Sequence, residues 1–194
     1  MDALLFQVLL PVLVIVVGAI WFILPAYVAN MVPAILHRFF GKYNFPVDFG
    51  KGFFDGRRIF GDGKTWNGLV FGILAGGLVG LLQAYAFGVP QGPGIGAGQI
   101  NGLKFGFILG AGALFGDLVK SFFKRRLNFE RGKMWFPFDQ IDFILGAFLF
   151  YAIFYGWHGP FVKWNLATLL VLTPILHLAV NRIGFVLKLK KEPW

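Results

Sequence analysis

The sequence contains no cysteine. That excludes disulfides, thiolate nucleophiles and any metal centre built on sulfur. Charge is sparse: 14% of the residues are Asp, Glu, Lys or Arg, against about 25% in an ordinary soluble domain. Acidic residues are the scarcer sign, nine against 18 basic ones, for a formal charge of +9. Histidine is rarer still, and His37, His158 and His177 stand far apart in the chain, so no histidine metal cluster is expected. Asp2 is the only early charge and no basic leader precedes the first apolar run, so a cleaved signal peptide is not expected either. There is no clear internal repeat, which weakens the case for a transporter built of matching halves.

What the chain has in abundance is apolar sequence, 57% of residues, with a mean hydropathy of +0.70. That composition is typical of an integral membrane protein. Crossing the hydrocarbon of a bilayer takes roughly 20 apolar residues, and five segments qualify, near 3–36, 66–90, 102–120, 141–157 and 165–187. The expected fold is all-α, a single transmembrane domain over 1–194 with five membrane-spanning helices. Pro11, Pro25 and Pro33 interrupt the first segment, so a bend or a second short piece is expected near Pro25. Gly68, Gly72, Gly76 and Gly80 recur at every fourth position, as do Gly102, Gly106 and Gly110. Such stripes let membrane helices approach closely.

Basic residues concentrate in 38–64, in 120–133 and in the tail, and are nearly absent from 89–101 and 158–164. The positive-inside rule then places the loops near 38–65 and 121–140 and the C-terminus in the cytoplasm, with the N-terminus outside. Five spans fit that parity. The excess positive charge suits anionic lipid or a phosphorylated substrate, and the apolar composition argues against nucleic acid.

Six of the nine acidic residues, Asp48, Asp55, Asp62, Asp117, Asp139 and Asp142, lie in or beside the two basic loops. Asp117 and Asp142 sit within or at the edge of apolar runs, where ionisable groups are costly and therefore functional candidates. In GDLVKSFFKRR, residues 116–126, Asp117, Ser121 and Lys124 fall at i, i+4 and i+7, one face of a helix. Asp117 and Ser121 offer oxygen to a hard cation, and Lys124, Arg125 and Arg126 offer charge to phosphate. The structural alternative is a basic helix end whose side chains reach the lipid headgroups. In RGKMWFPFDQIDF, residues 131–143, Asp139 and Asp142 are one helical turn apart and can share a metal with Asp117. Magnesium suits such an oxygen-rich pocket, completed by substrate phosphates. Metal and charge placement of this kind fits phosphoryl or nucleotidyl transfer, which needs no protein nucleophile.

The glycine-rich stretch DFGKGFFDGRRIFGDGKTWNG, residues 48–68, can bring backbone N–H groups close to phosphates. Arg57, Arg58 and Lys64 add charge, Asp62 can touch a metal or pair with an arginine, and Thr65 ends GDGKT, which resembles the end of a Walker motif. GDGKT is not a P-loop, because the required glycine five positions before Gly63 is Arg58 and a membrane segment precedes it instead of a strand.

FGKGFFDGRRIFGDGKTWNG, followed by GALFGDLVKSFFKRRLNFERGKMWFPFDQIDFILGA, resembles the archaeal CDP-archaeol synthase family across the whole chain in segment order. The resemblance implies a membrane enzyme that transfers a cytidylyl group from CTP, with Mg²⁺, to 2,3-bis-O-geranylgeranylglycerol 1-phosphate. It implies Asp117, Lys124, Asp139 and Asp142 as catalytic residues. Asp117, Asp139, Asp142 and Ser121 would hold the metal, and Arg57, Arg58, Asp62, Lys64, Thr65, Ser121, Arg125 and Arg126 would bind CTP and its phosphates. The wider phosphatidate cytidylyltransferase signature is matched by Ser121, Lys124, Arg125 and Pro137, but its Lys-Asp pair falls on Glu130-Arg131 and its His-Gly-Gly on Asp139-Gln140-Ile141. A CDP-alcohol phosphatidyltransferase is disfavoured, because Asp55-Gly56 lacks the Ala-Arg that follows in that pattern. The remaining alternative is a non-enzymatic protein that binds or carries anionic lipid.

Overall fold

The structure is a computed structural model and describes residues 2–40, 45–87, 99–129, 133–157 and 159–186. They form five α-helices: α1 (Asp2–Phe40), α2 (Trp66–Phe87), α3 (Gln99–Arg126), α4 (Phe138–Tyr155) and α5 (Gly159–Val186). All five are long and apolar enough to cross a membrane. No strand occurs among the described residues, only the isolated bridges Pro46–Thr65 and Gly52–Arg58. In hydrocarbon a segment must satisfy its own backbone, which is why apolar runs this long become helices.

The 39 residues of the first helix run uninterrupted through Pro11, Pro25 and Pro33, so of the two expected arrangements a separate second piece after Pro25 is excluded. Inside a bundle, neighbouring helices re-satisfy the carbonyls that proline frees. At 1.5 Å per residue it is roughly 58 Å long, well beyond the hydrocarbon thickness. It touches all four other helices, and the Phe22 ring lies 5.2–5.6 Å from those of Phe105, Phe148 and Tyr151. Helix α5 is held against it by a hydrogen bond between the hydroxyls of Tyr27 and Thr173 at 2.5 Å.

The glycine stripes do the packing expected of them. A Cβ on Gly76 would lie 2.9 Å from the Gly106 carbonyl oxygen and one on Gly72 would lie 2.8 Å from that of Ala29, so α1, α2 and α3 touch backbone to backbone. A second stripe brings α3 to α4. A Cβ on Gly112 would lie 2.5 Å from the carbonyl oxygen of Gly146, and one on Gly116 would lie 2.2 Å from that of Asp142. This contact fixes the site, because Gly116 immediately precedes Asp117 and touches the backbone that carries Asp142.

Helix α3 extends past the expected end of its span to Arg126. Ser121, Lys124, Arg125 and Arg126 are thus helical residues, in keeping with the one-face spacing of 116–126. The helix stops in a Schellman arrangement. The Phe129 N–H donates to the Lys124 carbonyl at 2.9 Å and the Asn128 N–H to that of Arg125 at 3.3 Å. Asn128 supplies the left-handed residue, at φ 61°.

Candidate active site

The segment 45–65 folds around one carboxylate. The Asp48 side chain is fully buried. Its Oδ1 accepts from the Gly50 N–H at 3.1 Å and from Arg58 Nη2 at 2.6 Å. Its Oδ2 accepts from the Phe60 and Gly61 N–H groups at 3.0 and 2.9 Å and from Arg58 Nε at 3.3 Å. Desolvation pushes this carboxyl up, but Arg58 and the three backbone donors outweigh it and hold it well below the usual carboxylate range. Arg58 in turn is held above its ordinary value, chiefly by its hydrogen bond to Asp48. Asp62 is 63% exposed and pairs with Arg58 Nη1 at 2.7 Å.

The folded segment docks on the end of α3. Arg57 Nη1 donates to the Arg126 carbonyl at 2.6 Å, meeting one of the acceptors that a helix C-terminus leaves unpaired. Arg126 reciprocates, with Nη2 donating to the carbonyls of Arg57 at 3.1 Å and Arg58 at 2.6 Å. Its Nε stands 2.9 Å from Asp55, and its guanidinium lies 5.0 and 4.9 Å from the rings of Phe53 and Phe122. Arg126 therefore clamps the loop and takes no place on the cleft wall. Thr65 has a structural position too. It is buried and its hydroxyl accepts from the Gly68 N–H at 3.2 Å, the N-cap of α2.

Docking leaves a cleft of about 520 Å³ between the loop and the end of α3. Among the described residues its wall carries six cations, Arg57, Arg58, Lys64, Lys120, Lys124 and Arg125, against one carboxylate, Asp62. A wall of that sign suits a polyanion. Arg125 Nε is buried without a hydrogen-bond partner, which leaves an unsatisfied guanidinium donor at this wall. Ser121 also reaches the wall, while its hydroxyl donates to the Asp117 carbonyl at 2.8 Å. Phe60, Asn128 and Phe129 supply the less charged part of the lining.

Three of the expected carboxylates do converge, but beneath the lysines and not on the wall. Lys64 hydrogen-bonds to Asp117 Oδ2. Lys120 Nζ lies 3.0 Å from Asp117 Oδ1, 2.9 Å from Asp142 Oδ2 and 3.4 Å from Asp139 Oδ1. Lys124 Nζ donates to both oxygens of Asp139, at 3.0 and 2.9 Å, and to the Lys133 carbonyl at 2.5 Å. The Trp135 N–H adds a bond to Asp139 Oδ2 at 2.6 Å. Three carboxylates thus face three ammonium groups. Asp142 alone has a buried oxygen, Oδ1, with neither a hydrogen bond nor an ion pair.

Two of these residues were not legible as site candidates. Lys120 counted only as a charge that orients the span, although a lysine within GALFGDLVKSFF is the kind of costly intramembrane group that marks a site. Asp48 was one aspartate among six. Its only local signal is the glycine two positions on, the spacing of an Asx turn. Glu130 and Arg131, where the wider signature departs, lie outside the described residues, as does His158.

A family model described as CarS-like, CDP-archaeol synthase, matches residues 12–194. The CDP-archaeol synthase of Methanopyrus kandleri is 47% identical over 175 residues, which is 90% of this chain and 91% of that protein. That of Pyrobaculum aerophilum is 43% identical over 88% of this chain and 93% of its own length. A solved structure, described as an intramembrane enzyme for archaeal membrane lipids biosynthesis, superposes with a TM-score of 0.65 at 38% identity. It covers 84% of this chain and 92% of that one.

Proposed function

The chain belongs to the CDP-archaeol synthase family, and from that premise we propose that its basic cleft holds CTP for cytidylyl transfer to an unsaturated archaeal ether-lipid phosphate, 2,3-bis-O-geranylgeranylglycerol 1-phosphate. The single observation that carries this reading is the wall of six cations against one carboxylate, set at the end of a bundle whose five helices are each long and apolar enough to cross a membrane. A polyphosphate and a lipid can meet at such a boundary. In this reading the loops and the C-terminus face the cytoplasm.

The triphosphate lies along Arg57, Arg58, Lys64, Lys124 and Arg125. Arg125 forks onto phosphate oxygens, the geometry for which a guanidinium is suited. The base lies toward Phe60 and Phe129, whose rings offer apolar faces, with the Asn128 amide able to pair with the cytosine edge. The lipid phosphate reaches the site sideways from the bilayer and is already anionic at pH 7, so its attack needs no general base. Its oxygen forms a bond to the α-phosphorus while the bond from that phosphorus to the bridging oxygen of the β-phosphate breaks. The electron pair leaves with pyrophosphate, whose charge Lys124 and Arg125 balance.

Asp117, Asp139 and Asp142 are hard oxygen donors of the kind Mg²⁺ prefers, and the Asp142 oxygen without a partner is available to it. Among the described residues no three such groups stand close enough to enclose a metal unaided, so phosphate oxygens would complete the coordination. Bound there, Mg²⁺ would supply charge neutralisation to the polyphosphate.

The test is an assay of the purified protein in vesicles with labelled CTP, Mg²⁺ and the lipid phosphate. Expected are a labelled CDP-lipid and equimolar pyrophosphate, both abolished by EDTA and by Asp117→Asn. Turnover that persists in EDTA would remove the metal from the scheme. Absence of product from folded protein with any nucleotide would return the chain to lipid binding without catalysis.

A further inference from the structure

The polar cleft has an apolar neighbour. A groove of about 310 Å³ runs between α3 and α4. Its sides include Phe115, Phe123, Phe138 and Leu149, all exposed on the outside of the bundle, where hydrocarbon would lie. At its inner end are Lys120 and Asp142, the only two charged residues that line it among the described residues. Lys120 also lines the polar cleft and is the one residue common to both linings. Its side chain is 15% exposed, so it forms the partition between the two spaces.

The ion pairs around Lys120 are not equivalent. Asp117 is paired with Lys64 as well, and Asp139 with Lys124 as well. Among the described residues Asp142 has Lys120 as its one cationic partner. Withdrawing the Lys120 ammonium therefore leaves Asp117 and Asp139 each with a cation but leaves Asp142 without one. A bare buried carboxylate is strongly destabilising. So Lys120 stays on the carboxylates until another cation answers Asp142. Once that happens, its long stem and rotatable ammonium can turn into the groove, which no other basic side chain lines among the described residues.

We propose that Lys120 is the receptor for the lipid phosphate, and that it becomes available only after the nucleotide and its metal have neutralised Asp142, so that the two substrates bind in that order. This rests on the reading that the cleft is the nucleotide site. The two sites are then coupled in free energy, and nucleotide tightens lipid phosphate without touching the groove.

The experiment uses full-length protein in nanodiscs of zwitterionic lipid. Binding of a long-chain dialkylglycerol phosphate is measured with and without Mg²⁺ and α,β-methylene CTP, which binds but is not expected to turn over. Lipid-phosphate affinity should rise at least tenfold with the nucleotide in the wild type. Lys120→Gln should abolish that rise and lower lipid affinity in the presence of nucleotide by far more than it lowers CTP affinity. Lys120→Arg should restore part of the rise. Soluble glycerol 1-phosphate should fail to compete, since it has no tail for the groove. A Lys120→Gln protein that keeps the nucleotide effect overturns the proposal. So does one that loses CTP and lipid affinity equally, or competition by glycerol 1-phosphate at concentrations similar to the lipid. If Lys120→Gln does not fold, the neutral pair Lys120→Met with Asp142→Asn takes its place, with the same expectations for lipid binding. Failure of the cleft reading itself would show separately, as a wild type that does not bind CTP at all.

Discussion

Replacing Asp48 with Asn tests whether one carboxylate organises the loop that covers the cleft. Asp48 accepts five hydrogen bonds, two on Oδ1 and three on Oδ2. An asparagine keeps one oxygen and turns an NH₂ group toward the other set of donors. If it keeps the bonds to Phe60 and Gly61, it loses those to the Gly50 N–H and to Arg58 Nη2. Hydrogen bonds to a charged group contribute about 1.5–3 kcal/mol each, so the two together amount to ~3–6 kcal/mol. Arg58 is about a third exposed and has Asp62 as a second partner, which favours the lower end. A loss of ~3 kcal/mol is roughly a hundredfold rise in the open population of the loop.

The loss should be local, because the helices are held by their own packing and by the bilayer. Hydrogen exchange at the Phe60 and Gly61 amides reads it directly, and CTP affinity should fall in parallel. The pH dependence has a definite sign. The folded carboxyl is depressed, so its contribution is complete above the unfolded value, about 3.9, and disappears only as pH falls through the lower folded value. Opening of the wild-type loop through Asp48 should therefore not vary between pH 5 and 9. Less than a threefold change in amide protection in Asp48→Asn would refute this account of the loop.

Two further outcomes follow from the packing and from the end of α3. Gly116→Ala puts a methyl against the Asp142 carbonyl at 2.2 Å and should separate α3 from α4, lowering turnover more than tenfold. Gly18→Ala, where an added methyl meets nothing within 4 Å, should be neutral in the same assay. Asn128→Gly keeps the left-handed turn that ends α3, which glycine adopts readily, and removes only the amide. It should leave the melting temperature unchanged or higher while reducing the preference for CTP over UTP about tenfold, the worth of one hydrogen bond. Unchanged preference would limit Asn128 to capping.

The sequence by itself determined the class of the molecule. Five apolar runs in a bilayer have no alternative to helix, so the element count was legible, although their ends moved. Helix α3 reached Arg126 because Asn128 could close it, and α1 ran through three prolines that its neighbours tolerate. The periodicity of Gly68–Gly80 and Gly102–Gly110 announced close packing, because spacing along a helix is a local property. Long motifs likewise carried the family resemblance. The shared face of Asp139 and Asp142 was legible for the same reason, since an i, i+3 spacing fixes a face, whereas their meeting with Asp117 depends on α4 lying against α3 at Gly116.

Which charge answers which was decided by the tertiary structure. Arg126 and Thr65 carry the same chemistry as residues that bind phosphate, yet one clamps the loop to α3 and the other caps α2. Lys120 is three residues from Asp117, but its position between cleft and groove depends on α4 lying against Gly116. Asp48 gathers donors from residues 2 to 13 positions further along, and no spacing rule specifies such a loop. Electrostatic partnership depends on distance in space, and in this chain those distances are set by backbones that meet at glycines.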